Sequence, residues 1–355
     1  MAGATHFFLG ANSGAGFQNL FPQLMQEDLY DLMILKGGPG VGKSTFMKQI
    51  GRMMEEAGLA VEYLWCSGDP DSLDGVWIPE LRCALADGTA PHVLEPRYPA
   101  AVERYVDLGR FYDVAAAKAA REEILAQTKA YQAAYVRAYH CLQAARQVEL
   151  EQVEAAAAGL DRERWERRAR GLAARNFHAV KGNGAEGHTR RRFLGSLTRR
   201  GAIWRFDSVQ ALCPRVVAVA DRWEQGGPLF ALLHQTAQTR GLDTIACMAP
   251  EQPDRIEHLL IPALGLAFIT EKPGMEFPEK PWRRVRLDAF VRMRDRGRTR
   301  LGTRMVNLLR EEGIRALQEA GAAHDALEAV YNPYVDFDGV RALAALEGGR
   351  LLSYW

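Results

Sequence analysis

Apolar positions along this chain follow two rhythms. Leu32-Met33-Ile34-Leu35 is an even apolar run with the length of a strand buried on both faces of a parallel sheet, and residues 60–66 (AVEYLWC) read as a second buried strand. Between them Phe46, Met47, Ile50, Met53, Met54 and Ala57 recur at helical spacing, with Gly58 placed to close the helix. Ahead of the first run, residues 5–10 read as a short strand, 12–16 as a turn and 17–24 as a short amphipathic element; Phe7, Phe8, Phe17 and Phe21 suit a core, with stacking on a nucleotide base as the alternative. Residues 77–86 read as a helix with Pro79 in its first turn, and Val93-Leu94-Glu95 as a short third strand ending in an acid. From about Val106 to His178, Ile124, Tyr131, Tyr135, Tyr139 and Leu142 keep mostly helical spacing, which predicts a long helical hairpin. Gly182, Gly184 and Gly187 then mark a flexible joint.

The pattern before the joint recurs after it. Phe8-Leu9-Gly10 returns as Phe193-Leu194-Gly195, the run at Leu32 as Val216-Val217-Ala218-Val219, Gly42 as Gly227, and Ile78-Pro79-Glu80-Leu81 as Ile261-Pro262-Ala263-Leu264. The expected fold is α/β, a mostly parallel sheet of the P-loop NTPase kind, duplicated, each copy followed by a helical hairpin. The divisions are residues 1–180 for the active copy, 181–189 for the joint and 190–355 for a degenerate copy.

Chemistry enters between the first strand and its helix. Gly37, Gly42, Lys43 and Ser44 fit G-x-x-x-x-G-K-[ST], in which successive backbone N–H groups wrap a triphosphate and the helix aims its positive N-terminus at it. Gly38, Pro39, Gly40, Val41, Gly42, Lys43, Ser44 and Thr45 are the expected nucleotide contacts, with Lys43 reaching the β- and γ-phosphates and the Ser44 hydroxyl holding Mg²⁺. The second copy replaces Lys43 by Pro228 and Ser44 by Leu229, so no productive triphosphate site is expected there.

Acids follow the second apolar run in CSGDPDSLDG, where an α/β sheet delivers residues to its ligand edge. Asp69, Asp71 and Asp74 are candidates to hold Mg²⁺ or accept a proton, although turn chemistry explains the same composition. Asp69 faces Gln252 in the second copy, whereas Asp71 and Asp74 face Asp254 and Glu257. That contrast favours Asp69, as a metal and catalytic residue, together with the Asp87-to-His92 loop, which has no counterpart. Glu95 is the other candidate water-positioning acid, with an exposed turn carboxylate as the alternative, and Arg97 a candidate γ-phosphate contact beside the plainer solvated reading.

Composition narrows the setting. Among 355 residues, 45 Lys and Arg balance 44 Asp and Glu, so nucleic acid is not indicated by overall charge. Arg190, Arg191, Arg192, Arg199 and Arg200 form the most basic stretch of the second copy, open to completing the first site, to a nucleic-acid patch or to solvent. Five scattered cysteines without metal-ligand spacing, no leader-like start and no membrane-length run lead to the expectation of a cytoplasmic protein with reduced thiols.

On KGGPGVGKST (36–45), CSGDPDSLDG (66–75), IPEL (78–81) and DGTAPH (87–92), the chain resembles a family of poorly characterised bacterial tandem P-loop proteins described as ATPases or nucleotide-kinase-like. The resemblance spans nearly the whole length and implies nucleotide binding through Gly38 to Thr45, with the acceptor unspecified. The second half departs from it, since relatives tend to keep a second phosphate loop. The expected function is Mg²⁺-dependent ATP hydrolysis at one site, ATP leading GTP because no N-K-x-D motif occurs. The alternatives are a kinase with a small-molecule acceptor and a nucleotide-gated module with a protein partner.

Overall fold

A computed structural model of the chain describes residues 3–26, 28–178, 180, 182 and 184–355. The first half runs β1 (Thr5–Phe7), β2 (Gly10–Ser13), β3 (Gly16–Asn19), β4 (Asp31–Lys36), α1 (Lys43–Glu56), β5 (Glu62–Trp65), β6 (Leu73–Ile78), β7 (Cys83–Asp87), β8 (Glu103–Asp107), α2 (Val114–Ala119), α3 (Arg121–Ala158) and α4 (Arg162–Phe177). The second runs β9 (Thr189–Arg192), β10 (Gly195–Thr198), β11 (Gly201–Trp204), α5 (Phe206–Leu212), β12 (Arg215–Ala220), α6 (Gly227–Gln238), β13 (Thr244–Ala249), β14 (Gln252–Ile261), β15 (Leu266–Glu271), β16 (Arg283–Arg286), α7 (Arg296–Tyr331) and α8 (Phe337–Leu352).

The fold is α/β, with two six-stranded mixed sheets of one design. Strand order is β1-β5-β6-β7-β4-β8 in the first and β9-β13-β14-β15-β12-β16 in the second, consistent with a duplicated α/β unit. Within each, the third strand in that order (β6 or β14) runs against the other five.

Local sequence explains the central pair β4 and α1. Leu32, Met33, Ile34 and Leu35 are fully buried, as a strand flanked on both sides requires. Phe46, Met47, Ile50, Gly51 and Met54 form the buried stripe of α1. Gly51 is in that stripe because a Cβ would lie 2.6 Å from the Tyr63 ring, so only glycine lets the helix settle on β5. The helix ends as expected: Gly58 takes φ +88°, and the N–H groups of Gly58 and Leu59 donate to Glu55 and Met54. This is a Schellman closure.

Three sequence expectations are corrected. Residues 77–86 are not helical; they belong to the antiparallel pair β6–β7 with a turn at Pro79, where the Arg82 N–H donates to the Pro79 carbonyl. Both strands lie inside the sheet, so neither shows the alternation that marks a half-exposed strand. Val93-Leu94-Glu95 is not a strand; β4 is flanked by β7 and β8 instead. The region from Val106 is not a helical hairpin. Val106 itself lies in β8, α3 packs on α7, and α4 packs on α6.

The last helix of each half therefore completes the other half. Trp165, Ala169, Leu172 and Phe177 of α4 join the core around the second sheet. In return Val340, Ala344 and Leu351 of α8 join Met33, Leu35, Phe46 and Ile50 around α1. At the centre Phe8 and Phe193, equivalent residues of the two halves, exchange backbone hydrogen bonds of 2.9 and 2.8 Å. Of the joint, Lys181 and Asn183 lie outside the described residues. Gly187 packs so closely on Leu242 that a Cβ would lie 2.0 Å from its carbonyl oxygen. None of the five cysteines is bridged, and Cys83, Cys213 and Cys247 are buried. Among the described residues no helix is long and apolar enough to cross a membrane.

Candidate functional site

The loop from Gly37 to Gly42 joins β4 to α1, and two of its glycines have positive φ, Gly40 at +71° and Gly42 at +91°. Gly42 is the residue that caps α1 in a left-handed conformation, which a side chain would strain. Lys43 opens the helix and folds back over the loop, its ammonium donating to the carbonyls of Gly37 at 2.7 Å and Gly38 at 3.0 Å. The same ammonium lies 3.6 Å from Asp87 Oδ2. Asp87 is the last residue of β7, the parallel neighbour of β4, so the sheet itself brings the acid to the lysine. Ser44 Oγ accepts the Leu73 N–H at 3.0 Å, which ties the start of α1 to the start of β6.

Asp74, next along β6, is 4 % exposed. Its Oδ2 is 3.3 Å from His92 Nε2, and the ligating atoms of Asp74, Asp87 and His92 all lie within 4.8 Å of one another. Burial, then the neighbouring Asp87, push the Asp74 carboxyl up to about 6, against the pull of His92 and Lys43. The His92 ring is walled by Phe17 and Phe21, with centroids 5.2 and 4.5 Å away.

The other expected residues fall elsewhere. Asp69 has both oxygens engaged, Oδ1 by Arg199 at 2.7 Å and Oδ2 by the Ser72 hydroxyl at 2.6 Å, and it is not part of the Asp74 cluster. Glu95 is largely exposed and is held by Lys36 at 3.6 Å and by the Tyr105 hydroxyl. The acid facing Lys43 is Asp87 instead. Thr45 is exposed on α1, and Gly38, Pro39 and Val41 complete the loop, with the Tyr112 hydroxyl donating to the Pro39 carbonyl at 2.6 Å. The arginines of the basic stretch meet acids within the chain: Arg192 and Arg190 meet Glu62, Arg191 meets Asp254, Arg199 meets Asp69 and Asp325, and Arg200 meets Asp71.

The second half reaches the loop directly. Glu328 of α7 accepts the Gly40 N–H at 3.2 Å, and a Cβ on Gly40 would lie 2.8 Å from Asn332 Oδ1. Sequence reasoning missed Glu328 because nothing local marks it. Asp87 was within reach, as the first residue of the loop without a counterpart. The acidic counterpart of Asp74, Glu257, favours Asp69 on sequence grounds, yet it is Asp74 that meets Asp87.

The equivalent loop of the second half is closed by its own side chains. Counting from Lys36 and Ala220, the last residues of β4 and β12, Gly226 stands opposite Gly42, one place before the expected Gly227, and Glu224 opposite Gly40. Buried Asp221 accepts the N–H groups of Gln225 and Gly226, each at 2.7 Å, where an anion would be received. Glu224, at φ +56°, turns its carboxylate into a cationic cluster of Arg146 at 3.1 Å, Arg255 at 3.3 Å and Lys272 at 3.8 Å. Glu257, which stands where Asp74 does in the first sheet, is 2.9 Å from the same Lys272.

This network predicts acid sensitivity. Burial opposes the charge on Glu257, but Lys272, His258 and Arg255 outweigh it and hold the carboxyl down at about 2. Burial, with help from Lys272 and Arg255, also brings His258 down to about 4 against the pull of Glu257. In both cases the unfolded chain binds protons more readily. Asp74 and Asp221, both pushed up to about 6, have the opposite sign and offset the His258 window, so the net fall in stability is expected below roughly pH 4.5, through the Glu257 window. Thermal melts across that range at fixed ionic strength check this, a flat profile being the contrary result.

No protein-family model, no curated protein and no solved structure matches the chain.

Proposed function

We propose that the first half binds ATP at the loop from Gly37 to Thr45 and hydrolyses it. The observation that carries this reading is the placement of Lys43. It stands at the head of a helix that follows a glycine loop and a buried strand, opposite a buried acid at the end of the adjoining parallel strand. Backbone N–H groups, the N-terminus of α1 and one desolvated ammonium form a donor set suited to a polyphosphate. Mg²⁺ carried by ATP would neutralise phosphate charge. Ser44, whose hydroxyl faces the start of β6, is the residue that would hold it, and Asp87 would position Lys43. Calorimetry with Mg-ATP, and phosphate release without an added acceptor, test the reading on the wild type and on Lys43→Ala. Turnover that disappears with Lys43 supports an ATPase, whereas ATP binding without release removes the hydrolase reading.

A second reading, a nucleotide-gated module, is favoured by one contact. Glu328 offers a carboxylate to the Gly40 N–H, a donor suited to phosphate, and it does so from a helix of the other half. A triphosphate and this carboxylate would compete for the loop, so nucleotide would push on α7. Glu328→Gln is expected to raise ATP affinity roughly tenfold, about 1.4 kcal/mol, by removing like charge beside the phosphates. Equal dissociation constants for the two proteins would remove the gating reading.

A further inference from the structure

The cluster of Asp74, Asp87 and His92 is built from three separate pieces of chain: the start of β6, the end of β7 and the loop that follows it. The side chains of Asp74 and His92 are more than nine-tenths buried, and that of Asp87 is 12 % exposed. Two carboxylates this close repel, and the only cation described beside them, Lys43, stands 3.6 Å from Asp87 while its protons serve the loop carbonyls. The Cys66 thiol donates to the Asp74 carboxyl, but its Oδ2 is sealed from solvent and receives no aligned hydrogen bond of its own, His92 Nε2 standing 3.3 Å away. A buried acceptor in that state costs free energy unless something positive meets it.

The internal duplication supplies a comparison. In the second sheet Glu257 takes the place of Asp74 in the strand register, and there the Lys272 ammonium sits on the carboxylate at 2.9 Å. One copy satisfies the position with a cationic side chain. The other presents two carboxylates and an imidazole.

We propose that Asp74, Asp87 and His92 form a site for a divalent first-row transition cation beside the phosphate loop. A cation bonded at about 2.0–2.2 Å brings its ligand atoms roughly 3–4.4 Å apart, so the 4.8 Å envelope closes on a metal with shifts of tenths of an ångström. One imidazole nitrogen with two carboxylates suits Mn²⁺, Fe²⁺, Co²⁺ or Zn²⁺ better than the all-oxygen preference of Mg²⁺ or Ca²⁺. The site differs from the Mg²⁺ carried by ATP. It rests on the nucleotide reading for its purpose, a second positive charge near the terminal phosphate, but not for its test.

The test is titration of Co²⁺ into metal-free protein without nucleotide, followed by visible absorption, with Mn²⁺ and Mg²⁺ as competitors. One Co²⁺ per chain is expected, displaced by Mn²⁺ at concentrations at least tenfold below those needed for Mg²⁺. His92→Gln and Asp74→Asn, shown folded by circular dichroism, are expected to weaken Co²⁺ at least tenfold. Lys43→Ala should retain Co²⁺ while losing ATP. Absent stoichiometric uptake by the wild type, Mg²⁺ competing as well as Mn²⁺, or undiminished uptake in His92→Gln would each overturn the site. If ATP fails to bind while Co²⁺ passes these tests, the nucleotide reading falls and the metal site stands; the reverse result removes the metal site alone.

Discussion

Lys43→Ala is expected to weaken ATP binding by roughly 10²-fold and to lower any ATP turnover by about 10²–10³-fold, the loss typical of removing one preorganised donor at a developing charge. Two effects add. The ammonium is mostly withdrawn from water, so its attraction for phosphate is screened less than that of a surface lysine. Removing it also leaves the Asp87 side chain, 12 % exposed, without the charge that balanced it, which would oppose a bound triphosphate. The cost of Lys43→Ala should accordingly shrink in an Asp87→Asn background, a coupling that a double-mutant cycle measures. A Lys43→Ala protein that bound ATP within threefold of the wild type would remove the lysine from the site.

Glu224→Gln is expected to cost about 3 kcal/mol of stability, close to the 3–5 kcal/mol seen when one partner of a buried ion pair is removed. The substitution preserves shape and removes one negative charge, leaving Arg146, Arg255 and Lys272 gathered around a neutral amide with Glu257, Glu149 and Glu251 among the nearby acids. Burial alone would favour protonating Glu224, but Lys272, Arg255 and Arg146 together hold its carboxyl below the ordinary range. Because Arg146 belongs to α3 and Arg255 to β14, the loss also loosens a long helix of the first half from the second sheet. Arg200→Ala serves as the contrast: its pair with Asp71 is more than half exposed on both sides, and exposed pairs contribute under about 1 kcal/mol. Urea unfolding of the two variants reads the difference, and a Glu224→Gln midpoint equal to that of Arg200→Ala would show that the cluster does not stabilise the fold.

Much of the frame was legible because local sequence dictates it. The run at Leu32, the glycine loop, the stripe from Phe46 to Met54 and the closing Gly58 each depend on a few adjacent residues, and their recurrence disclosed the repeat. What escaped depends on tertiary context. Cys83-Ala84-Leu85-Ala86-Asp87 is short and rich in alanine, which resembles helix, and only its neighbours in the sheet make it a strand. With that strand unseen, its terminal acid read as part of a loop, and Glu95 was advanced in its place. An acidic counterpart makes Asp74 look structural, but Glu257 serves a cluster with Lys272 that the first half lacks. Helical spacing located the tyrosines of α3; it carried no sign that the partner of α3 would be α7.

The exchange of α4 and α8 gives the chain the architecture of a domain-swapped dimer whose subunits have been joined end to end. Cutting the backbone between residues 181 and 189 would not release two autonomous domains. Each fragment would carry a helix whose apolar stripe fits only the other fragment, and each would lack the wall that its own sheet needs. The two pieces would be obligate complements, so the half whose loop has no lysine is still required for the half that carries Lys43 to fold.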